Sequence, residues 1–214
     1  MTEFEQADPG LGISSAGPAS PCYPAELECD VTTMLGTTVH VRPIRPDDAS
    51  RLVTFHSSLT SRSVYRRFFS VHPKLSEAEV TRFTCVDYVD RLALIVEVDA
   101  RMVAIARYDR LPGTPEAEVA FVVADHFQHH GIATLLLELL AEAAWVRGIT
   151  TFVASTLTEN REMLHVFLGS RFDVHTNTED GIVEVRFLID PSSCRPERIA
   201  RGPNGTGEPK KPAC

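Results

Sequence analysis

The chain has 214 residues, 43% of them hydrophobic, and a formal net charge of −8 at pH 7. This length and composition suffice for one domain with a substantial hydrophobic core. The negative charge argues against nucleic acid or an anionic membrane as the main partner, because both select basic surfaces. An acidic surface suits a cationic acceptor, although excess acidic residues are also a common means of staying soluble.

The five cysteines form no C-x-x-C pair. An odd number of cysteines without such a pair predicts reduced thiols rather than a disulfide framework or a zinc knuckle. Reduced thiols in turn predict a cytoplasmic protein. The first residues are acidic and contain no apolar segment, so we expect no signal peptide. No stretch reaches the roughly 18 apolar residues that a membrane-spanning helix needs.

Both ends of the chain differ in composition from the middle. Residues 1–35 are rich in Pro, Gly, Ser and Glu, which predicts a mobile N-terminal arm, although residues 27–35 could add a short strand or helix. Residues 191–214 are rich in Gly, Pro and charged residues, which predicts a disordered tail. One domain remains between them, at residues 36–190.

Strands and helices alternate within this domain. A period of two at residues 38–43 predicts a first strand that ends at a proline. Helical patterns follow, beginning near Asp47 or Asp48 as cap and continuing to residue 58, then at residues 61–69 and 75–83. The third carries the spacing of a capping box, with Ser at position 76 and Glu at position 79.

Two parallel strands are predicted in the second half. Residues 92–98 and 102–108 first predict a β-hairpin. The alternating residues 117–123 then lead through a loop into a long apolar helix that Gly148 closes. Because that helix joins it to the strand at residues 151–156, the two strands should be parallel. A helix at residues 159–168 and a hairpin of residues 172–176 and 182–189 complete the domain.

The loop after residue 123 contains the pattern Gln128-x-x-Gly131-x-Ala133. A small residue at a helix start leaves backbone N–H groups bare, and these can surround a pyrophosphate at the positive end of the helix dipole. A tight turn without a ligand is the other interpretation. The three histidines of this loop have no Cys and only one carboxylate beside them, so we predict no metal site.

This strand and loop, with Asn160 on the next strand-to-helix connection, resemble motif A of the GNAT family, the acetyl-CoA-dependent N-acetyltransferases. The motif has the form Gln/Arg-x-x-Gly-x-Gly/Ala. Four further segments resemble the bacterial Pat-like branch, whose members are protein-lysine acetyltransferases; they are Arg42-Pro43-Ile44-Arg45-Pro46-Asp47-Asp48, residues 59–70, Val86-Asp87-Tyr88 and Ala106-Arg107-Tyr108. Four segments in order with compatible gaps are hard to obtain by chance.

The resemblance extends over residues 38–190 and implies an α/β fold of the GNAT type. Such a fold has a mixed, mostly antiparallel central sheet flanked by helices. Its two central parallel strands splay apart, and the pantetheine arm of acetyl-CoA enters the V between them. Backbone groups left unpaired in the V would hydrogen-bond the pantetheine amides.

The resemblance also implies roles for individual residues. Glu118 lies where the family has its catalytic glutamate and would act as general base, because a lysine amine with a pKa near 10.4 is protonated at neutral pH. Glu116 shares its face and is the reserve base. The expected contacts to acetyl-CoA are made by the backbone of Phe121, Val122 and Val123, by the loop residues Gln128, His129, His130, Gly131, Ile132, Ala133 and Thr134, and by Asn160.

Three of these assignments have plain structural alternatives. Glu118 could be an exposed strand carboxylate, Asn160 could simply cap a helix, and the Thr134 hydroxyl could bond back to its own helix. Arg66 and Arg67 belong to a short helix that in GNAT proteins borders the acceptor. The alternative interpretation of these two residues is that they form a solvated basic face without a role in binding.

The sequence departs from the family pattern at two places. His129 and His130 stand where the loop commonly reads Gly-Arg, which removes a flexible glycine and a phosphate-pairing cation. Phe167 stands where many members have a tyrosine that acts as general acid for the departing thiolate. A CoA thiol is acidic enough to leave without much help, so an enzyme remains the expectation.

We therefore predict direct acetyl transfer from acetyl-CoA to a primary amine, with a protein lysine as the favoured acceptor. One alternative is a small-molecule amine, because acceptor pockets are built from variable loops. The other is a catalytically weak acyl-CoA-binding regulatory module. The sequence leaves open the acceptor, the acyl chain and the oligomeric state.

Overall fold

An eight-stranded sheet organises residues 22–33 and 35–190, which are the residues described by this computed structural model. The strands are β1 (Cys29–Thr32), β2 (Thr38–Pro43), β3 (Arg91–Val98), β4 (Arg101–Arg110), β5 (Glu116–Val123), β6 (Thr151–Leu157), β7 (Asp173–Glu179) and β8 (Ile182–Leu188). The helices are α1 (Ala49–Ser58), α2 (Ser61–Phe68), α3 (Glu77–Thr84), α4 (Ile132–Trp145) and α5 (Arg161–Leu168). None of the helices in the described ranges is long and apolar enough to cross a membrane.

The order of the strands in the sheet is β1-β2-β3-β4-β5-β6-β8-β7, and every neighbouring pair is antiparallel except β5 with β6. The parallel pair is in register from Glu116 opposite Thr151 only as far as Glu118 opposite Val153. Both strands continue, β5 to Val123 and β6 to Leu157, without further pairing to each other. The predicted mixed sheet with two splayed central strands is thus confirmed.

The two faces of β5 contact different helices. Its odd-numbered side chains face α4 and α5, as the Phe121 ring shows by its edge contact with Phe167 at 5.9 Å. Its even-numbered side chains face α1, α2 and α3, since Ala120 and Val122 line a small cavity with Phe55 of α1. Alternation along the strand therefore puts Glu118 on the α1–α3 face.

Local signals explain several element ends. Ser76 and Glu79 form the predicted capping box, with Glu79 N–H donating to Ser76 Oγ at 3.3 Å and Ser76 N–H donating to Glu79 Oε2 at 2.8 Å. Gly148, at φ +76°, ends the α4 segment as expected. The β3–β4 hairpin turns through Asp99 and Ala100, both with positive φ, which matches the right-handed twist of the strands.

Asp48, one of the two residues predicted to cap α1, has a different role. Its side chain makes no cap hydrogen bond to α1. Instead it accepts hydrogen bonds from the Arg42 guanidinium at 2.7 and 2.6 Å and from Arg45 N–H at 2.8 Å. Glu97 on β3 also accepts from Arg42, at 3.1 and 3.2 Å. The buried ion pair fixes the start of α1 against the sheet.

The sheet begins before residue 36, the start predicted for the domain. β1 pairs with β2 over four residues, so the described end of the predicted arm, residues 22–33, belongs to the domain. This is the extra strand that residues 27–35 could supply. Residues 1–21 of the predicted arm and the predicted tail, residues 191–214, lie outside the described residues.

Candidate active site

A cleft of about 710 Å³ occupies the V between β5 and β6. Residues of α2, the β5–α4 loop and α5 complete its walls. It is lined by Glu118 and by every predicted acetyl-CoA contact except one: Phe121, Val122, Val123, Gln128, His129, Gly131, Ile132, Ala133, Thr134 and Asn160. The exception is His130, whose ring packs edge-on against Phe127 at 5.9 Å.

The pairing of β5 with β4 determines which of its backbone groups face the cleft. Ala124 N–H donates to Val103 O, and Leu111 N–H donates to Glu116 O, both at 2.8 Å. In an antiparallel ladder this alternation directs the backbone N–H and C=O groups of even-numbered residues towards β4. The backbone groups of odd-numbered residues point to the other side, towards β6. Phe121 and Val123 therefore direct backbone groups into the V. The backbone groups of Val122, the third predicted contact, point instead to β4, where Val122 pairs with Ile105.

The start of α4 supplies bare N–H groups. Gly131 begins the helix at φ +78°, and no side chain caps it. Leu135 N–H makes the first helical hydrogen bond, to Gly131 O at 3.0 Å, so the N–H groups of residues 132–134 have no helical partner. The Thr134 hydroxyl also has no hydrogen-bond partner among the described residues, so it does not bond back to the helix. This arrangement is suited to an anion such as a pyrophosphate.

The loop before α4 takes a conformation that glycine favours. His129 has φ +64°, the left-handed region, at a place where the family commonly has glycine. A non-glycine residue in that region costs about 1–2 kcal/mol. The missing glycine is therefore replaced by a residue held in the same conformation.

The side chain of Gln128 bonds to the protein itself. Its amide N–H donates to Val123 O at 3.2 Å and to Ser63 Oγ at 3.4 Å. Only the backbone of Gln128 is left for a phosphate. Asp125, in the same loop, accepts from Ser63 Oγ at 2.8 Å and from the hydroxyl and N–H of Thr60 at 2.9 and 3.1 Å. These bonds connect the β5–α4 loop to the start of α2.

The two candidate bases differ in their partners. Glu116 forms an ion pair with Arg186 of β8. Glu118 lines the cleft with its side chain exposed, and within the described residues it has no hydrogen bond or ion pair. Of the two carboxylates, Glu118 alone is both at the cleft and free to accept a proton.

Asn160 and Phe167 form the α5 side of the cleft. Asn160 is 7% exposed, and its Oδ1 accepts from Met163 N–H at 3.4 Å, so the plain cap is present. The Phe167 ring is buried against Phe121 and Phe187, with centroids 5.9 and 5.1 Å away. Thr156 of β6 was not anticipated; its hydroxyl lines the cleft, is buried, and has no hydrogen-bond partner in the described part of the chain. No periodicity marks such a residue.

A sequence model of the acetyltransferase (GNAT) domain matches residues 38–172. The chain belongs to the GNAT acetyltransferase family. Among its relatives, the acetyltransferase Pat of Mycolicibacterium smegmatis is 33% identical over 166 residues, which are 75% of this chain and 49% of that protein. The chain thus spans about half the length of this curated relative.

Solved GNAT structures agree with the fold. The GNAT domain of S. lividans PAT is 41% identical, with a TM-score of 0.74 over 78% of this chain and 99% of that one. The yncA protein of Salmonella typhimurium, solved with acetyl-CoA, has a TM-score of 0.59 over 72% of this chain and 95% of that one. At 13% identity, yncA shows the fold alone.

The site of this GNAT domain fits acetyl-CoA. Bare N–H groups at the start of α4 suit the pyrophosphate, and unpaired backbone in the V suits the pantetheine amides. No cluster of three or more His, Cys, Asp or Glu that could hold a metal ion occurs among the described residues.

Proposed function

We propose that the protein transfers the acetyl group of acetyl-CoA to a primary amine, with the side chain of a protein lysine as the favoured acceptor. The observation that carries this proposal is the unpaired Glu118 carboxylate beside the splayed strands, with the bare start of α4 in the same cleft. Membership of the GNAT family and the identity to Pat support the reaction class.

Glu118 takes a proton from the acceptor ammonium, directly or through a water molecule, because only the neutral amine is a nucleophile. The amine nitrogen then forms a bond to the acetyl carbon and loses its second proton to water, while the C–S bond breaks and CoA departs as a thiolate. Backbone N–H groups of Phe121 and Val123 are directed into the V, where they can donate to the thioester oxygen and stabilise the charge that develops there.

No tyrosine hydroxyl is available at position 167 to protonate the leaving group. A thiolate with the acidity of CoA needs little help, so its proton can come from water. A small-molecule amine remains the second acceptor class.

The test compares wild type with Glu118→Gln and with Glu116→Gln. We expect all three proteins to bind acetyl-CoA by calorimetry with similar affinity. Thiol release on a panel of lysine peptides and small amines should fall at least about tenfold in Glu118→Gln, which corresponds to about 1.4 kcal/mol of transition-state stabilisation. Glu116→Gln should keep most of the activity, because its ion pair is only a half-exposed contact.

Two results would contradict the proposal. Binding of acetyl-CoA without turnover of any acceptor indicates a regulatory module. Equal losses in both variants indicate that Glu118 is not the base.

A further inference from the structure

Arg67 is a cation without a counter-ion in the wall of the cleft. It lies on α2, is half-buried, and lines both the main cleft and the small cavity behind it. Among the described residues, no carboxylate lies within 4 Å of its guanidinium and no acceptor is hydrogen-bonded to it. Its Cζ lies over the ring of Phe68, 5.0 Å from the ring centroid.

The neighbouring arginine shows how different this is. Arg66 also lines the cleft, but its Nη2 lies 2.9 Å from Glu162 Oε2. The two consecutive side chains are thus on the same helix and at the same cleft, with one paired and the other unpaired. A partly buried guanidinium without an acceptor is costly unless a ligand supplies one.

Other charges near Arg67 do not neutralise it. Burial, reinforced by the positive charge of Arg107, lowers the pKa of Arg67 to about 10, so it stays charged at neutral pH. Asp109 lies 3.5 Å from Arg107 and also 3.5 Å from Arg82, and so is shared between two cations. Glu118 acts on Arg67 through space without forming an ion pair with it. The charges around Arg67 therefore leave it without a carboxylate of its own.

We propose that Arg67 binds a carboxylate of the acceptor, so that the substrate amine carries an acidic group close to it. In a protein acceptor this group is an Asp or Glu beside the reacting lysine; in a small acceptor it is the carboxylate of an amino acid. The inference rests on the proposed function and narrows its substrate class.

The geometry makes this selection chemically reasonable. Arg67 and Glu118 face the same cleft from the same face of the sheet, one as cation and one as anion. An acceptor that presents an ammonium group to Glu118 and a carboxylate to Arg67 satisfies both charges at once. A guanidinium binds a carboxylate with two parallel hydrogen bonds, which gives direction as well as affinity.

The experiment uses peptides of equal length in which the lysine is flanked by Glu or by Gln, together with an amino acid and its amide. Wild type, Arg67→Ala and Arg67→Lys are compared, with Arg62→Ala, an exposed residue of the first turn of the same helix, as control. Binding is measured by calorimetry in the presence of CoA, and turnover by thiol release. Thermal unfolding and acetyl-CoA affinity verify that each variant is folded.

We expect wild type to prefer the Glu-flanked peptide about tenfold or more, in Kd and in kcat/KM, as is typical of a charged hydrogen bond. Arg67→Ala should abolish the preference by raising KM for that peptide, while the Gln-flanked peptide changes less than about twofold. Arg67→Lys should keep part of the preference. If the amino acid and not the peptide shows the Arg67-dependent preference, the carboxylate belongs to a small acceptor.

Equal losses for both peptides in Arg67→Ala, or no preference in wild type, overturn the inference. Arg67-dependent binding of the acidic peptide without any turnover supports the inference and contradicts the acetyltransferase proposal. Turnover without any charge preference does the reverse, so the two failures are distinguishable.

Discussion

Arg66 Nη2 lies 2.9 Å from Glu162 Oε2, and this ion pair joins α2 to α5 across the cleft. The Arg66 side chain is largely buried, with 11% exposed, whereas the Glu162 side chain is 43% exposed. At its other end, α2 is held to the β5–α4 loop by Asp125. Helix α2, which carries Arg67, is therefore fixed at both ends beside the site.

The Arg66–Glu162 pair should act on the acceptor rather than on the cofactor. In a double-mutant cycle of Arg66→Ala and Glu162→Gln, we expect the acceptor KM to show a coupling of about 0.5 kcal/mol, since one partner is exposed and screened by solvent. The coupling should shrink at 1 M salt, and the affinity for acetyl-CoA should stay constant. Additive effects at low salt would show that the pair does not position α2.

Asp48 makes the stability of the fold dependent on pH. Burial raises the pKa of its carboxyl, but the hydrogen bonds from Arg42 and from Arg45 N–H outweigh burial, so the pKa lies below its usual value. A depressed folded pKa gives stability that is present above the unfolded value near 3.9 and is lost as the pH falls through the folded value. We therefore expect the free energy of unfolding to fall as the pH drops below about 4.

Asp48→Asn tests this contribution. The variant leaves the buried Arg42 with a weaker partner, so the free energy of unfolding at pH 7 should fall by about 3 kcal/mol in urea titrations. Its decline below pH 4 should be shallower than in wild type. Asp47→Asn, at the exposed neighbouring position, is the matched control and should follow wild type at both pH values. If the free energy of unfolding of Asp48→Asn falls below pH 4 as steeply as that of wild type, the pH dependence belongs to other groups.

Variants of His129 separate a backbone effect from a side-chain effect in the β5–α4 loop. His129→Gly removes the left-handed strain of about 1–2 kcal/mol but adds flexibility to the unfolded chain, so its stability should equal or slightly exceed that of wild type. His129→Ala keeps the strain. If the imidazole contacts the phosphates, both variants lose acetyl-CoA affinity equally in calorimetry. A change in affinity confined to His129→Gly, with His129→Ala binding like wild type, would assign the effect to the backbone.

The sequence predicted most of the scaffold, because local patterns determine it. The period of two, the capping box at Ser76 and the glycine at position 148 each act within a few residues, and the structure has them as expected. The pattern around Gly131 likewise predicted the bare start of α4. β1 was only one of two possibilities for residues 27–35, since its short strand is stable only through pairing with β2.

Tertiary structure decided how the side chains of the site are partnered. The alternation of the strand puts Glu116 and Glu118 on the same face and does not distinguish them. The structure distinguishes them because Arg186, 70 residues away in the chain, pairs with Glu116 and not with Glu118. Arg66 and Arg67 are adjacent in sequence, yet Glu162 from α5 pairs with one alone. Charges find partners through space, across strands and helices that the chain brings together after many residues. The sequence by itself determined the fold and the cofactor loop; the packing of distant elements determined which charges remain free for the chemistry.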